Sequence, residues 1–333
     1  MRRASALLTL ALLLAAARGQ EEEAALQLRQ RQAARIMGGD LLIEVLGPDV
    51  AALDSALDAA LVEIRRVEDL VTDWRPSPVR TLNEAAGQGP QPVPPELARL
   101  IARALECARL TGGAFDPTWA GVGRLWDMKR QPPVVPDAAA IKAALERVGW
   151  QRVTVDLERS TVDLPAGMRL GLDGISQGYA ADMAMAVLMR LGIRHALVNL
   201  SGDIKALGRK QGKPWQIAIK HPRERERVLA VIPISNACLT TSGDYERFFE
   251  HEGKRYHHII DPRTGWPSTG AMCATVIAPD ATWADALDTA LCVLGPEEGL
   301  KVVASVPRTE ALIVGMDGKV HVSKGLAQGN QGR

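Results

Sequence analysis

Residues 273–294 read CATVIAPDATWADALDTALCVL, and this stretch contains both kinds of element from which the fold is built. Residues 273–278 are small, apolar or β-branched, which is typical of a buried strand. From Trp283 to Leu294, apolar residues recur at three- and four-residue spacing, which predicts a helix. A core strand is therefore followed directly by an amphipathic helix.

The predicted helix carries a cluster of oxygen side chains. Asp285, Asp288 and Thr289 fall on one face, because a helix turns about 100° per residue. Carboxylate and hydroxyl oxygens are ligands that Mg²⁺ and Ca²⁺ prefer, so one interpretation is a metal site. The alternative is structural: Thr282 caps the helix and the acids favour its dipole. The opposite face is apolar, with Leu287, Ala290, Leu291 and Leu294.

Strands and helices elsewhere in the chain do not alternate strictly, and no repeat or long linker divides it. This pattern predicts an α+β fold with a mixed sheet, in one domain over residues 35–325. Further helices are predicted at 51–70, 95–110, 137–148 and 177–191. Further strands are predicted at 41–46, 152–157, 161–164, 196–200, 215–219, 228–234 and 256–260.

The composition is that of an ordinary globular protein. The 333 residues include 40 Lys and Arg against 39 Asp and Glu, a formal charge of +1. Nucleic-acid binding, which needs a basic surplus, is therefore not expected. The four cysteines have apolar neighbours and form no C-x-x-C motif, so buried free thiols are favoured, although the pairing of a disulfide is left open.

The N-terminus has the pattern of a signal peptide. A basic start at residues 1–3 precedes the apolar run 4–17 and the acidic residues 21–23. We expect residues 1–20 to be a signal peptide, with an uncleaved inner-membrane anchor as the alternative. No later apolar run is long enough to span a membrane. Residues 21–34 are expected to be a polar lead-in, irregular or helical, and residues 326–333 a flexible tail.

Three other segments suggest chemistry. Residues 172–182, LDGISQGYAAD, place two glycines where a strand runs into a helix, which lets backbone groups approach a ligand closely or simply forms a turn. Residues 255–262, RYHHIIDP, put His257 and His258 on opposite sides of a strand. In residues 111–118, TGGAFDPT, capping is the default role of Asp116. Phosphate-loop, dinucleotide-binding, H-E-x-x-H and nucleophile-elbow motifs are absent.

The order of these segments resembles the FAD:protein FMN transferase family, the ApbE-type flavin transferases, over nearly the whole chain after the leader. The resemblance implies an α+β flavin transferase domain. The matching segments are Ile36–Gly39, Trp74 with Ser77 and Leu82–Asn83, 111–118 with Leu125–Trp126, 174–182, Val198–Ile204, 241–245, His257–Pro262, Val276–Pro279 and Ala284–Leu291.

The resemblance implies that the chain takes FAD as substrate, transfers FMN to a Thr or Ser hydroxyl of an acceptor protein and releases AMP. It implies that Mg²⁺ is bound by Asp285, Asp288, Thr289 and the carbonyl of Gly174. His258 would be the base that accepts the proton of the hydroxyl. The FAD site would be lined by Met37, Trp74, Ala114, Phe115, Asp116 and Ile260.

This chain departs from the family pattern at two places in segment 171–177. Gly171 stands where the family often has an acid, and we expect Asp173 to supply the missing carboxylate to the FAD site. Gln177 stands where the family has a Lys or Glu near the nucleotide. Both departures put FAD binding in question, and the missing charge at Gln177 also puts the metal dependence in question.

Two other activities fit the same residues. The chain could hydrolyse FAD to FMN and AMP with water as acceptor, or it could bind FAD without chemistry as an accessory protein. The transferase interpretation implies a periplasmic enzyme whose partner is the periplasmic domain of a membrane-bound redox protein.

Overall fold

A computed structural model describes residues 26–224 and 226–329, so the predicted signal peptide lies outside the described residues. The helices are α1 (Val50–Val71), α2 (Pro78–Glu84), α3 (Pro95–Leu110), α4 (Ala120–Gly123), α5 (Ala138–Leu145), α6 (Asp173–Arg190), α7 (Ala281–Ser305) and α8 (Lys324–Gly329). The strands are β1 (Gln27–Ile36), β2 (Gly39–Gly47), β3 (Gln91–Pro92), β4 (Thr154–Asp156), β5 (Thr161–Asp163), β6 (His195–Leu200), β7 (Asp203–Leu207), β8 (Trp215–Lys220), β9 (Val228–Ile234), β10 (Ala237–Gly243), β11 (Phe248–His251), β12 (Lys254–His257), β13 (Ala271–Ala278), β14 (Glu310–Gly315) and β15 (Val320–Val322).

One large sheet organises the fold. Its eight strands lie in the order β1-β2-β6-β7-β10-β13-β14-β15. The predicted α+β class is confirmed. The sheet itself differs from the mixed one we expected, because every neighbouring pair of its strands is antiparallel.

The course of α7 explains why β14 runs antiparallel to β13, which the sequence pattern does not predict. Gly295 breaks this helix with φ 76° and ψ −179°, and Pro296 follows it. A Cβ on Gly299 would lie 3.8 Å from the Cα of Leu291. Residues eight apart in a straight helix are about 12 Å apart, so the second half of α7 folds back on the first. The chain therefore returns to the end of the sheet where β13 finished, and β14 runs antiparallel to it.

The two faces of the sheet are covered differently. Side chains alternate between faces along each strand. In β10, Cys238 therefore packs into the large core beneath α1, α6 and α7, while Leu239 faces the other way. That second face is covered by the β8–β9 hairpin, through Trp215 and Ile217 among others. The helices and the hairpin thus enclose the sheet between two apolar layers.

Of the polar lead-in expected at residues 21–34, residues 27–34 belong to strand β1 and residues 21–25 lie outside the described residues. Strand β1 pairs with β2 from Gln27–Gly47 to Ile36–Gly39 and is exposed along most of its length. Its arginines bind acids of α1, as in the 2.8 Å pair of Arg29 with Asp54. Backbone pairing and this ion pairing hold the strand in place. Because it lacks an alternating apolar pattern, no strand is predicted here from the residues alone.

The C-terminal boundary also differs from the expectation. Residues 326–329 belong to α8, and the Leu326 N–H donates to Glu310 Oε2 over 3.2 Å. The start of the expected flexible tail is therefore wrong, and residues 330–333 lie outside the described residues.

The four cysteines are buried and unpaired, as the sequence favoured. Within the described part of the chain, no helix has both the length and the apolar character needed to cross a membrane.

Candidate active site

The first turns of α6 and α7 meet at the candidate site. The Gly178 N–H in α6 donates to Asp285 Oδ2 in α7 over 2.8 Å. A Cβ at residue 178 would overlap the Ala281 carbonyl oxygen and lie 2.8 Å from Asp285 Cβ. Glycine is therefore required here for the close approach of the two helices.

Asp285 and Asp288 are both buried, and their electrostatics are unfavourable without a cation. Burial raises the pKa of Asp285 to about 7, and the nearby charge of Asp173 adds to that rise. Burial and then the charge of Asp285 raise the pKa of Asp288 well above its ordinary value. Two carboxylates that each resist ionisation in a shared space favour a bound cation.

The remaining oxygens of the predicted metal set lie beside Asp288. Its Oδ2 atom is buried and has no hydrogen-bond partner of normal length among the described residues, while the nearby Thr240 and Ser242 hydroxyls act to lower the pKa of this carboxyl. Thr289 Oγ1 lies 3.2 Å from Ser242 Oγ and 3.4 Å from Asp288 Oδ1. A Cβ on Gly174 would lie 3.3 Å from Thr289 Oγ1, so Gly174 borders the same space.

The backbone at Gly174 departs from the helix around it, with φ −87° and ψ 23°. Four residues later, the Gly178 N–H donates to Asp285. The structure thus places Gly174 next to Thr289 and links the same helix start to Asp285, so the four predicted metal ligands lie around one helix junction.

The structural alternative for this face, with Thr282 as the cap, is not what the structure shows. Asp280 caps α7 and accepts from the Trp283 N–H over 3.0 Å. Thr282 instead donates through its hydroxyl to Asp182 Oδ2 over 2.8 Å. Neither predicted ligand carboxylate is therefore used as the cap of the helix.

Asp203, which we did not predict as a site residue, is a third buried carboxylate near this cluster. Burial and then the charges of Asp285 and Asp288 raise its pKa well above the ordinary value. It starts β7, directly after the Ser201–Gly202 turn. Its only sequence signal was its place within the segment Val198–Ile204. Over residues 26–224 and 226–329 no three His, Cys, Asp or Glu side chains form a ready metal site, so a cation here would need hydroxyl and carbonyl oxygens as well.

Two of the predicted FAD-site residues contact each other. The Gln177 amide Nε2 donates to the Met37 carbonyl over 3.2 Å. The Met37 N–H donates to Glu68 Oε1 over 2.9 Å. Gln177 therefore reaches the Met37 turn, and Glu68 is a further residue there that the sequence did not single out.

The three residues of segment 114–116 have different surroundings and roles. Phe115 borders the metal cluster, since its ring carbon Cε2 would lie 3.4 Å from a Cβ on Gly174. Asp116 is buried and holds its own loop: Oδ1 accepts from the Thr118 N–H over 2.8 Å, and Oδ2 accepts from the Trp150 N–H over 3.1 Å. The default capping role of Asp116 is thus observed, and Ala114 is buried beside it.

The remaining predicted FAD-site residues differ in how exposed they are. Trp74 is 57% exposed, whereas Ile260 is buried in a separate apolar cluster with Trp126 and Tyr256. Asp173 Oδ2 lies 3.5 Å from the position that a Cβ on Gly171 would take. The carboxylate of Asp173 therefore lies next to residue 171, and its contribution to the FAD site stays a prediction.

His258 has a defined tautomer. Its Nδ1 lies 3.2 Å from the Arg247 carbonyl oxygen. A carbonyl can only accept, so Nδ1 carries the proton and Nε2 keeps a lone pair. Burial and then the charge of Arg247 lower the pKa of His258 to about 4. His258 is therefore a neutral imidazole near pH 7.

His257 is held differently. Its Nε2 lies 2.9 Å from the Ser268 carbonyl, and burial lowers its pKa. The neighbouring Asp244 is buried and accepts two 2.6 Å hydrogen bonds from Arg223. These contacts fix the region where β10 ends and the β11–β12 hairpin begins.

Comparison with known proteins gives a consistent result. The model of the ApbE family matches residues 37–313. An FAD:protein FMN transferase of Treponema pallidum is 36% identical over 294 residues, covering 83% of this chain and 81% of the relative. One of Klebsiella pneumoniae is 34% identical over 279 residues, covering 81% and 79%.

Solved structures are similar as well. The crystal structure of the ApbE protein from Thermotoga maritima has a TM-score of 0.83 and 33% identity, covering 91% of this chain and 99% of that one. The apo form of the Pseudomonas stutzeri flavinyl transferase ApbE has a TM-score of 0.80 and 28% identity, covering 91% and 96%.

Proposed function

This chain belongs to the ApbE family, and we propose that it uses Mg²⁺ to transfer FMN from FAD to a Thr or Ser hydroxyl of an acceptor protein, releasing AMP. That it is an enzyme, which moves FMN from FAD to a protein, follows from relatives that carry this activity in their names. The cation, the residues that bind it and the acceptor are our proposals.

The unpartnered oxygen of Asp288 is the observation that carries the magnesium site. A buried carboxylate oxygen without a donor is costly unless a cation binds it. Thr289 lies beside both Asp288 and Gly174, and Asp285 is near enough to raise the pKa of Asp288. Together with the Gly174 carbonyl, these residues would offer the hard oxygens that Mg²⁺ binds. When bound, Mg²⁺ would neutralise charge on the pyrophosphate and polarise its phosphorus–oxygen bonds.

The protein's own residues then position the substrate. Met37 and Phe115 each contact the helix start at Gly174–Gly178, on which the metal cluster also rests. Binding the flavin nucleotide along this edge would hold its pyrophosphate beside Asp285 and Asp288. Alignment of this kind supplies much of the rate in phosphoryl transfer.

His258 is suited to accept the proton of the acceptor hydroxyl. Its Nδ1–H is held by the Arg247 carbonyl, so Nε2 is the free lone pair. Its lowered pKa keeps the ring neutral at physiological pH. A positioned base contributes about 10²–10⁴-fold to a rate, most when its pKa lies near the working pH, so the lowered pKa makes His258 a weaker proton acceptor than a free imidazole.

We further propose that the enzyme acts in the periplasm on the exported domain of a membrane-bound redox protein. The basic and apolar start of the sequence supports export. Cell fractionation of the full-length chain, together with N-terminal sequencing of the product, tests this. Recovery of the intact chain in the cytosol would contradict it.

The reaction is tested by incubating the protein with FAD and Mg²⁺, with and without a candidate acceptor domain. We expect AMP in step with an acceptor mass increase equal to FMN less one water, because the hydroxyl oxygen replaces AMP on the FMN phosphorus. Free FMN without acceptor would show hydrolysis instead, and bound FAD without AMP would show binding alone. Asp285→Ala is expected to abolish AMP release, while Asp54→Ala, a surface change far from the site in sequence, should not.

A further inference from the structure

The turn between β1 and β2 has an unusual backbone. It consists of Met37 and Gly38, since Ile36 pairs with Gly39. Both residues are left-handed, with φ 50° for Met37 and 81° for Gly38. The left-handed region is unfavourable for a residue with a Cβ, so Met37 must be held there by its surroundings.

Two side chains from different helices hold the Met37 peptide groups. Glu68, near the end of α1, accepts the Met37 N–H over 2.9 Å. Gln177, in α6, donates to the Met37 carbonyl over 3.2 Å. Arg75 approaches the other oxygen of Glu68 at 3.7 Å and so restrains the carboxylate. Both polar groups of this strained residue are therefore satisfied by side chains.

The β6–β7 turn packs against the Met37 turn and restricts its movement. A Cβ on Gly39 would overlap the hydroxyl of Ser201, which is itself left-handed with φ 54° in the β6–β7 turn. The Ser201 hydroxyl accepts the Asp40 N–H over 2.8 Å. The Met37 turn is thus fixed against the next hairpin of the sheet as well as against two helices.

The same turn of α6 also holds the metal cluster. Gln177 is followed by Gly178, whose N–H binds Asp285. One residue therefore fixes the Met37 turn, and the next fixes a metal carboxylate. The spacing between the Met37 turn and Asp285 is therefore set by this single stretch of backbone.

We propose that Glu68 and Gln177 are positioning residues that hold the left-handed Met37 turn in its nucleotide-binding conformation. The proposal rests on the function above, because contact between Met37 and FAD belongs to it. Loss of either hydrogen bond should raise the KM and Kd for FAD about tenfold, as expected for a bond to a charged or strained group. The kcat at saturating FAD should stay within about twofold, since neither side chain touches the reacting groups.

The first experiment compares Glu68→Ala with Glu68→Gln. Gln keeps an oxygen that accepts the Met37 N–H, so it should bind FAD nearly as wild type does, while Ala should bind about tenfold more weakly. Binding is measured by flavin fluorescence without acceptor, and kcat and KM by AMP release. Glu63→Ala, on the same helix and paired with Arg66, is the control.

The second comparison uses Gln177→Ala and Gln177→Lys. Gln177 is partly exposed and alanine favours a helix, so folding should persist. A lysine at 177 still carries N–H donors for the Met37 carbonyl, so Lys should bind FAD more tightly than Ala does.

The outcomes are distinct. FAD binding at wild-type strength in both Glu68→Ala and Gln177→Ala would overturn the inference alone, as would a fall in kcat with KM unchanged. Equal losses in Glu68→Gln and Glu68→Ala would also overturn it. Wild-type protein that binds no FAD would overturn the proposed function together with the inference.

Discussion

The backbone N–H of Gly178 donates a 2.8 Å hydrogen bond to Oδ2 of Asp285, and this bond joins α6 to α7 at the candidate metal site. It connects a backbone N–H of one helix to a carboxylate of the other and so orients that carboxylate. The predictions below follow from this junction and from the residues around it.

Gly178→Ala should destabilise the protein and weaken Mg²⁺ binding together. The added methyl would overlap the Ala281 carbonyl, so the two helices would have to separate. Overpacking of this kind costs about 1–3 kcal/mol. Chemical denaturation would measure the loss, with the exposed Met189→Ala in the same helix as a control expected to cost about 0.5 kcal/mol or less. Unchanged stability would show that the helices can adjust.

Mg²⁺ should stabilise wild-type protein and not Asp288→Asn. A ligand that binds only the folded state adds about 2.7 kcal/mol at a concentration 100 times its Kd. Asn offers one carbonyl oxygen and no charge, so this gain should disappear. Thermal unfolding with Mg²⁺ and with EDTA measures the effect, and Asp54→Asn on the surface serves as control. An equal Mg²⁺ response in Asp288→Asn would refute the metal assignment.

His258→Ala should reduce the rate of FMN transfer by about 10²–10⁴-fold while leaving FAD binding near wild type. His258 is placed to take a proton and not to hold the nucleotide. Single-turnover transfer to the acceptor and fluorescence binding of FAD measure the two effects separately. His257→Gln, whose side chain can still donate to the Ser268 carbonyl, should keep most of the activity. A larger loss of transfer rate in His257→Gln than in His258→Ala would assign the base to His257.

The loss of FMN transfer rate that comes from protonation of His258 should occur near pH 4 rather than near pH 6.5. The pKa of His258 is lowered to about 4, so the ring stays neutral and able to accept a proton as pH falls through the range where a free histidine is protonated. Activity should fall only as the pH approaches that lowered value. Transfer rates at saturating Mg²⁺ and FAD measure the limb, and a midpoint near 6.5 would contradict the tautomer and environment described above.

Much of the architecture could be predicted because it depends on local apolar pattern. Helix α1 was predicted at 51–70 and is observed at Val50–Val71; strand β9 has the predicted bounds. Strand β1 could not be predicted in this way, because its polar residues face solvent and only pairing with β2 makes it a strand. The direction of β14 depended on the fold-back at Gly295, which looks in sequence like an ordinary helix end.

The site was predictable to a similar extent. Helical spacing placed Asp285, Asp288 and Thr289 on one face, and the structure brings Gly174 to them. The role of Glu68 had no sequence signal, since it depends on a contact between residues 31 positions apart. Asp203 was equally hidden, because its burial near the other carboxylates is a property of the assembled sheet.

Strand β1 has a practical consequence for how the protein is matured and handled. Its far end leads into the turn that holds Met37, so the strand is part of the catalytic unit and not a dispensable leader. If export includes proteolytic processing, the cleavage point must leave Gln27 and everything after it in place. Recombinant versions that start later would strip β2 of its neighbour, expose an unpaired edge and invite aggregation.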